Sequence, residues 1–192
     1  MKLVVVGGTG LVATELIRQG LRVPEITSLV ALARRPVQLD VDASDASKFE
    51  SVVVHDYAHY SDSVKAALAG ADACIWTVGI TLGRSNTYDF AEVKHVCQDC
   101  TMAGLEALRE ANSVASRPGQ TEKMVQDFGR DHKEVVASML RASNYITNSV
   151  ANVDRADLSA ALLDQVTHGF EKEILSNADL VRIGGSAMAK ET

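Results

Sequence analysis

MKLVVVGGTGLVATELIRQG, residues 1–20, joins an apolar run, a glycine-rich segment and a helical pattern without a break. Leu3–Val6 is short and continuously apolar, which is typical of a strand covered on both faces. Leu11–Leu21 has the apolar spacing of an amphipathic helix. The sequence therefore predicts that a strand, a glycine turn and a helix follow one another at this end of the chain.

The turn Gly7–Ala13 reads Gly-x-x-Gly-x-x-Ala, a spacing suited to phosphate binding. A helix N-terminus offers unpaired N–H groups and a positive dipole end to a pyrophosphate, and glycines let it approach the backbone. We expect Gly7 to permit a tight turn, Gly10 the close approach, and Ala13 the packing of helix on strand. The residues predicted to bind a dinucleotide here are Gly7, Gly8, Thr9, Gly10, Leu11 and Val12. The alternative is a glycine-rich turn without a ligand.

Apolar runs and helical patterns alternate through the first half of the chain. The further predicted strands are Ser28–Ala33, Ser51–His55 and Ala73–Val78, and the further helices are Ser63–Ala69 and Asp89–Ala111. Such alternation implies an α/β fold with parallel strands and right-handed crossovers.

The second half of the chain is less regular. It predicts helices over Thr121–His132 and Asp157–His168, a candidate strand Glu134–Leu140, and a last short strand Asp179–Ile183. We expect one domain over residues 1–184 and a loose tail over 185–192.

Residues at the ends of the later strands predict the type of dinucleotide. An NAD site usually carries an acidic residue about 20 residues after the glycine turn, at the end of the second strand. Arg34 and Arg35 stand there instead, and guanidinium groups suit a 2′-phosphate, so NADP is favoured over NAD. Asp56 follows the third strand and is predicted to accept from the adenine amino group. Val78 and Gly79 follow the fourth, where backbone passes beside the adenosine ribose.

Composition excludes several classes of function. The 192 residues carry a net charge of −6, which argues against a general binder of nucleic acid or of anionic membranes. No run approaches the roughly 18 apolar residues of a membrane span. Because the first strand begins at Lys2, we expect no cleavable leader ahead of the fold.

Cysteine and histidine spacing predicts neither a disulfide framework nor a metal site. The 3 cysteines are too few for a framework, and the pair Cys97 and Cys100 lies within a helical pattern, as two partly buried thiols would. His55 and His59 flank a strand end and a loop, and we interpret neither as a metal ligand. Free thiols indicate a reducing compartment, most simply the cytoplasm.

Four segments resemble one known family. GGTGLVA (7–13), ALARR (31–35), GADACIWTVG (70–79) and VDRADLSAALLDQV (153–166) are similar to the atypical short-chain dehydrogenases/reductases, including the NmrA-like NAD(P)-binding proteins. The resemblance implies a Rossmann-like, doubly wound, mostly parallel sheet that binds NADP(H). In active members it implies reduction of a small carbonyl compound or a related isomerisation.

The sequence departs from that family at the catalytic residues. Active members carry a Tyr-x-x-x-Lys pair, in which tyrosine is the general acid and lysine lowers its pKa. None of the 4 tyrosines is followed by lysine four residues later, so no catalytic residue is assigned.

The family's fifth strand also has no counterpart in this sequence. Judged by the usual size of a βαβ unit, a segment of about 30 residues is missing between Pro118 and Gly119. Either the loss is genuine or the gene sequence is incomplete there, and Glu134–Leu140 is a candidate substitute strand. Three hypotheses follow: an NADP(H)-dependent oxidoreductase, a non-catalytic dinucleotide-sensing regulator, and an inactive relic.

Overall fold

The computed structural model describes residues 1–39, 43–80, 87–113, 153–169, 171 and 175–190. The elements are β1 (Lys2–Val6), α1 (Leu11–Gly20), β2 (Ser28–Ala33), α2 (Ala43–Ala46), β3 (Phe49–Val53), α3 (Asp62–Leu68), β4 (Ala73–Trp76), α4 (Phe90–Lys94), a π-helical turn (His95–Asp99), α5 (Cys100–Ser113), α6 (Arg155–His168) and α7 (Asn177–Lys190). None of the described helices is both long and apolar enough to span a bilayer.

The four described strands form one parallel sheet in the order β3-β2-β1-β4. Val6 lies opposite Leu32 on one side and Trp76 on the other. This is the strand order of half of a Rossmann fold, and the predicted α/β class is confirmed. Because all four strands are parallel, their carboxyl ends meet at one edge of the sheet.

The two faces of the sheet carry separate apolar cores, because successive side chains of a strand point to opposite faces. Leu3 and Val5 join the cluster that α1 and Leu163 of α6 cover. Val4 and Val6 join the cluster that α3 and α5 cover. Among the described residues, the result is a three-layer arrangement with helices on both faces of the sheet.

The last helix, α7, corrects a prediction. Asp179–Ile183 was expected to be a strand, but it lies inside α7, and the same helix takes in residues 185–190 of the predicted tail. Leu180 and Ile183 are three residues apart, so they share one face of a helix, and both are buried with Leu158 of α6. That packing selects the helix over the strand.

The remaining boundaries shift by only a few residues. β3 begins two residues before the predicted start, at Phe49, which pairs with Leu29. The predicted helix Asp89–Ala111 is one continuous helical segment with the π turn inside it. Thr121–His132, Glu134–Leu140 and the junction of Pro118 with Gly119 lie outside the described residues.

Candidate functional site

The turn after β1 requires glycine at its first position. Gly7 has φ +93°, a conformation that side chains disfavour. A Cβ there would lie 2.5 Å from Thr77 Oγ1 and 3.1 Å from Val78 Cγ2. The N–H groups of Gly7 and Gly8 both donate to the Leu32 carbonyl, at 2.8 and 2.9 Å. The turn is thus held between the ends of β2 and β4.

The other small residues of the turn are needed for packing. A Cβ on Gly8 would lie 2.9 Å from Val37 Cγ2, so Gly8 is closed in by the segment after β2. Gly10 donates its N–H to the Gly7 carbonyl at 2.7 Å, and a Cβ on it would lie 3.1 Å from that oxygen. Ala13 is fully buried in the core between α1 and the sheet. Thr9 and Gly10 remain exposed.

Among the described residues, no side chain accepts a hydrogen bond from the free N–H groups at the N-terminus of α1. Gly10 is the N-cap, no side-chain cap is present, and the first turn carries no acidic residue. In contrast, α3, α4 and α6 are capped by Ser61, Asp89 and Asp154, each with an acidic residue in the first turn. An anion at the start of α1 would accept from N–H groups that no described side chain satisfies, and it would be stabilised by the positive end of the helix dipole.

Arg34 and Arg35 directly follow β2 and are both exposed. No carboxylate among the described residues forms an ion pair with either guanidinium. Burial raises the pKa of the Tyr57 hydroxyl, and the positive charge of Arg34 opposes part of that rise. The pair therefore presents uncompensated positive charge at the same sheet edge as the glycine turn.

Asp56 lies two residues beyond the last residue hydrogen-bonded to β2 and is exposed. Its carboxylate accepts from the Ala58 N–H at 2.9 Å and lies 2.9 Å from His59 Nδ1. The hydrogen bond from Ala58, followed by that from His59, lowers the pKa of Asp56. The group is a fixed anionic acceptor with lone pairs left for a further donor.

The residues after β4 lie against the glycine turn. The Val78 carbonyl accepts from Trp76 Nε1 at 2.9 Å, and Gly79 is exposed beside it. Thr77 precedes these two residues at the predicted end of the fourth strand, and its hydroxyl donates to the Val6 carbonyl at 2.6 Å. All the segments predicted to bind the dinucleotide therefore leave the same edge of the sheet.

Two tyrosines near this edge are poorly suited to acid catalysis. Tyr57 donates to the Leu32 carbonyl at 3.4 Å and packs edge-on against Trp76, with ring centroids 6.0 Å apart. The Tyr60 hydroxyl is buried without a hydrogen-bond partner among the described residues. Burial raises the pKa of both hydroxyls, whereas a general acid needs a pKa nearer the working pH.

A cleft beside the start of α1 contains a cation that sequence reasoning missed. Thr9, Leu11, Thr14, Glu15 and Arg155 line this cleft of about 450 Å³. Arg155 comes from the first turn of α6, which packs on α1. No local sequence signal could place this arginine beside residues 9–15, because only the packing of the two helices does so.

A family model described as NAD(P)H-binding matches residues 7–155, which begin at the glycine turn and include every predicted binding residue. Leucinostatins biosynthesis cluster protein T of Purpureocillium lilacinum is 36% identical over 76 residues, 40% of this chain and 27% of that protein. The matched stretch thus spans about a quarter of that relative. Uronate dehydrogenase from Agrobacterium tumefaciens aligns at TM-score 0.41 and 23% identity over 57% of this chain and 36% of that one.

Proposed function

Because the chain belongs to the NAD(P)H-binding family, we propose that Gly7–Val12 bind the pyrophosphate of NADP(H) and that the protein is an oxidoreductase acting on a small carbonyl compound. Membership of the family implies a nicotinamide dinucleotide cofactor. We propose in addition that the dinucleotide is NADP, that the named residues bind it, and that the substrate is a carbonyl compound.

The observation that carries the proposal is the uncapped start of α1 behind Gly7. The positive φ of Gly7 forms the tight turn between β1 and α1, so α1 begins, without a side-chain cap, at the carboxyl end of β1. A doubly charged pyrophosphate at that place gains hydrogen bonds and dipole stabilisation without displacing a side chain. Arg155 lines the same cleft as Thr9, and Glu15 lies in that cleft too, where the charge of Arg155 helps to lower the pKa of the Glu15 carboxyl after the larger effect of Arg18.

Exposed arginines support NADP over NAD. A 2′-phosphate on the adenosine ribose would meet Arg34 and Arg35 at the end of β2, where an NAD site would present a carboxylate. Asp56, at the end of the neighbouring strand, is assigned to the adenine amino group, and Val78 and Gly79 to the ribose side. These assignments follow the order in which a dinucleotide crosses the carboxyl edge.

Isothermal titration with NADPH and NADH tests the arginine assignment. We expect the double variant Arg34→Ala, Arg35→Ala to bind NADPH about 10- to 100-fold more weakly, because charge-assisted hydrogen bonds are lost, and NADH unchanged. Arg22→Ala is the matched control, since Arg22 is also exposed but follows the opposite end of α1. Equal losses for both nucleotides, or a wild type that binds NADH as tightly as NADPH, would contradict the assignment.

Bound NADPH supplies a hydride for carbonyl reduction. The chain's own contribution is to place the nicotinamide: the turn holds the pyrophosphate, and β4 with residues 77–79 forms the wall beside Gly7. No described tyrosine is assigned as the proton donor, because none is followed by lysine four residues on.

The absence of a Tyr-x-x-x-Lys pair from the sequence favours a second candidate function. In it the protein is a non-catalytic sensor, and binding of the dinucleotide changes its affinity for a partner protein. Following NADPH absorbance across a panel of aldehydes and ketones separates the two. Turnover with NADPH that falls together with NADPH affinity in the folded variant Arg34→Ala, Arg35→Ala supports the oxidoreductase. Tight NADPH binding with no turnover over the whole panel supports the sensor.

A further inference from the structure

Three side chains of different chemistry converge on the surface beside the third strand. Asp56, His95 and Cys100 each direct one ligand atom so that the three atoms lie within 4.8 Å of one another. Asp56 comes from the loop after β3, and the other two come from the helical segment after β4. We propose that Asp56, His95 and Cys100 bind a zinc ion.

The π turn is what brings His95 and Cys100 together. In an α-helix, residues five apart lie about 140° from each other around the axis. Here the Cys100 N–H donates to the His95 carbonyl, the i+5 to i bond of a π-helix, which widens the turn. As a result His95 Nε2 lies 3.8 Å from Cys100 Sγ. Such turns are frequent at functional sites, because they place side chains that a regular helix would separate.

The groups around the cluster suit a bound cation. His95 Nδ1 faces Asp99 Oδ2 at 3.7 Å, so its other ring nitrogen is the one turned toward Cys100. At 3.7 Å the two groups are an ion pair when the imidazole is protonated, and Asp99 also accepts from Lys94 Nζ at 3.1 Å. The Asp56 carboxylate has a neighbouring histidine as well, because its Oδ2 lies 2.9 Å from His59 Nδ1.

The set of donor atoms selects the metal. A thiolate and an imidazole favour zinc over magnesium or calcium, which prefer oxygen ligands. Three protein ligands leave a fourth, solvent-facing position, since Asp56 and His95 side chains are both more than half exposed while Cys100 is buried beneath them. Binding transfers the Cys100 thiol proton to solvent and forms the sulfur–metal bond, with no change of oxidation state.

This inference departs from the sequence-based expectation of no metal, and it does not rest on the proposed function. The three ligands are separated in sequence, and the His95–Cys100 spacing fits no regular helix face. Asp56 is also the residue assigned above to the adenine amino group, so a metal and the nucleotide would compete for this carboxylate.

Cobalt titration of the metal-free full-length chain tests the site, because a cobalt–thiolate bond gives a near-ultraviolet charge-transfer band. We expect one equivalent of Co²⁺ to produce the band and Zn²⁺ to abolish it by displacement. Cys100→Ser should remove the band, and His95→Asn and Asp56→Asn should weaken Co²⁺ binding by about tenfold or more. Cys97→Ser is the matched control, since Cys97 lies in the same π turn but its sulfur accepts from the Ile80 N–H at 3.2 Å.

Circular dichroism of each variant establishes that it is folded, and His95→Asn and Asp56→Asn change exposed side chains only. The proposal is overturned by a wild type that shows no thiolate band, by a band that survives Cys100→Ser, or by unchanged affinity in both folded His95→Asn and Asp56→Asn variants.

Discussion

Replacing Gly7 by alanine tests the geometry on which the dinucleotide site depends. The new Cβ would be held at φ +93° and would point at Thr77 Oγ1, 2.5 Å away. That hydroxyl cannot simply move aside, because it donates to the Val6 carbonyl at 2.6 Å. The substitution therefore combines backbone strain with the loss of a hydrogen bond between β4 and β1.

The size of the effect follows from these two contributions. Holding a non-glycine residue in a sparsely populated backbone region costs about 1–3 kcal/mol. Displacing the Thr77 hydroxyl from Val6 costs about 0.5–1.5 kcal/mol. We therefore expect Gly7→Ala to lower the free energy of unfolding by about 1.5–4.5 kcal/mol, which shifts a urea midpoint by roughly 1–2 M.

Equilibrium unfolding in urea, followed by circular dichroism, measures this loss. Gly169→Ala is the matched control: Gly169 has φ +101°, but a Cβ there would meet no atom within 4 Å. Gly169→Ala should therefore lower the free energy of unfolding by the strain contribution alone. In a Thr77→Ala background, Gly7→Ala should cost less than in the wild type, because the atom it meets has been removed.

Two outcomes refute the reasoning. One is a Gly7→Ala protein that is as stable as Gly169→Ala. The other is a Gly7→Ala penalty that is the same with and without the Thr77 hydroxyl. The first result means that the turn accommodates a Cβ at residue 7, and the second means that the Thr77 hydroxyl is not what obstructs it.

Three further predictions concern packing and ionisation. In α7, Gly184→Ala should destabilise the fold by about 1–3 kcal/mol, because a Cβ there collides with a carbonyl of α6, whereas Gly185→Ala meets open space and should stabilise it by up to about 1 kcal/mol in urea unfolding. Gly104→Ala should disturb the indole of Trp76, the single tryptophan, and shift its fluorescence to longer wavelength; an unchanged spectrum contradicts the contact. Cys74 is partly buried, and this burial raises the pKa of its thiol to about 12, so its alkylation at pH 8 should be slower in the folded protein than in the unfolded chain.

The Cys74 shift also has a consequence for stability, because its raised pKa favours the folded state while the thiol stays protonated. That contribution is complete below the unfolded pKa near 9 and is lost as pH rises toward 12. Cys74→Ala should therefore flatten the fall in unfolding free energy over this interval. A variant with the same pH dependence as the wild type would show that the thiol is not desolvated.

Local sequence identified the half of the fold that contains the glycine turn. Leu3–Val6 and Ser28–Ala33 are apolar at nearly every position and are flanked by turn residues, which favours strands buried on both faces, and both were placed within a residue. Asp179–Ile183 is too short for period 2 and period 3.6 to be distinguished, and the strand prediction there was wrong.

The sequence by itself determined the parallel α/β class, the turn Gly7–Gly10 and the helix behind it, because these depend on the order of neighbouring residues. Only the tertiary structure decided that Thr77 closes on Gly7, that Arg155 reaches the start of α1, and that α7 is a helix. The tertiary structure also brings the ligand atoms of Asp56, His95 and Cys100 within 4.8 Å of one another. Contacts of this kind join residues from separate elements, and they depend on crossovers and helix packing that no local pattern encodes.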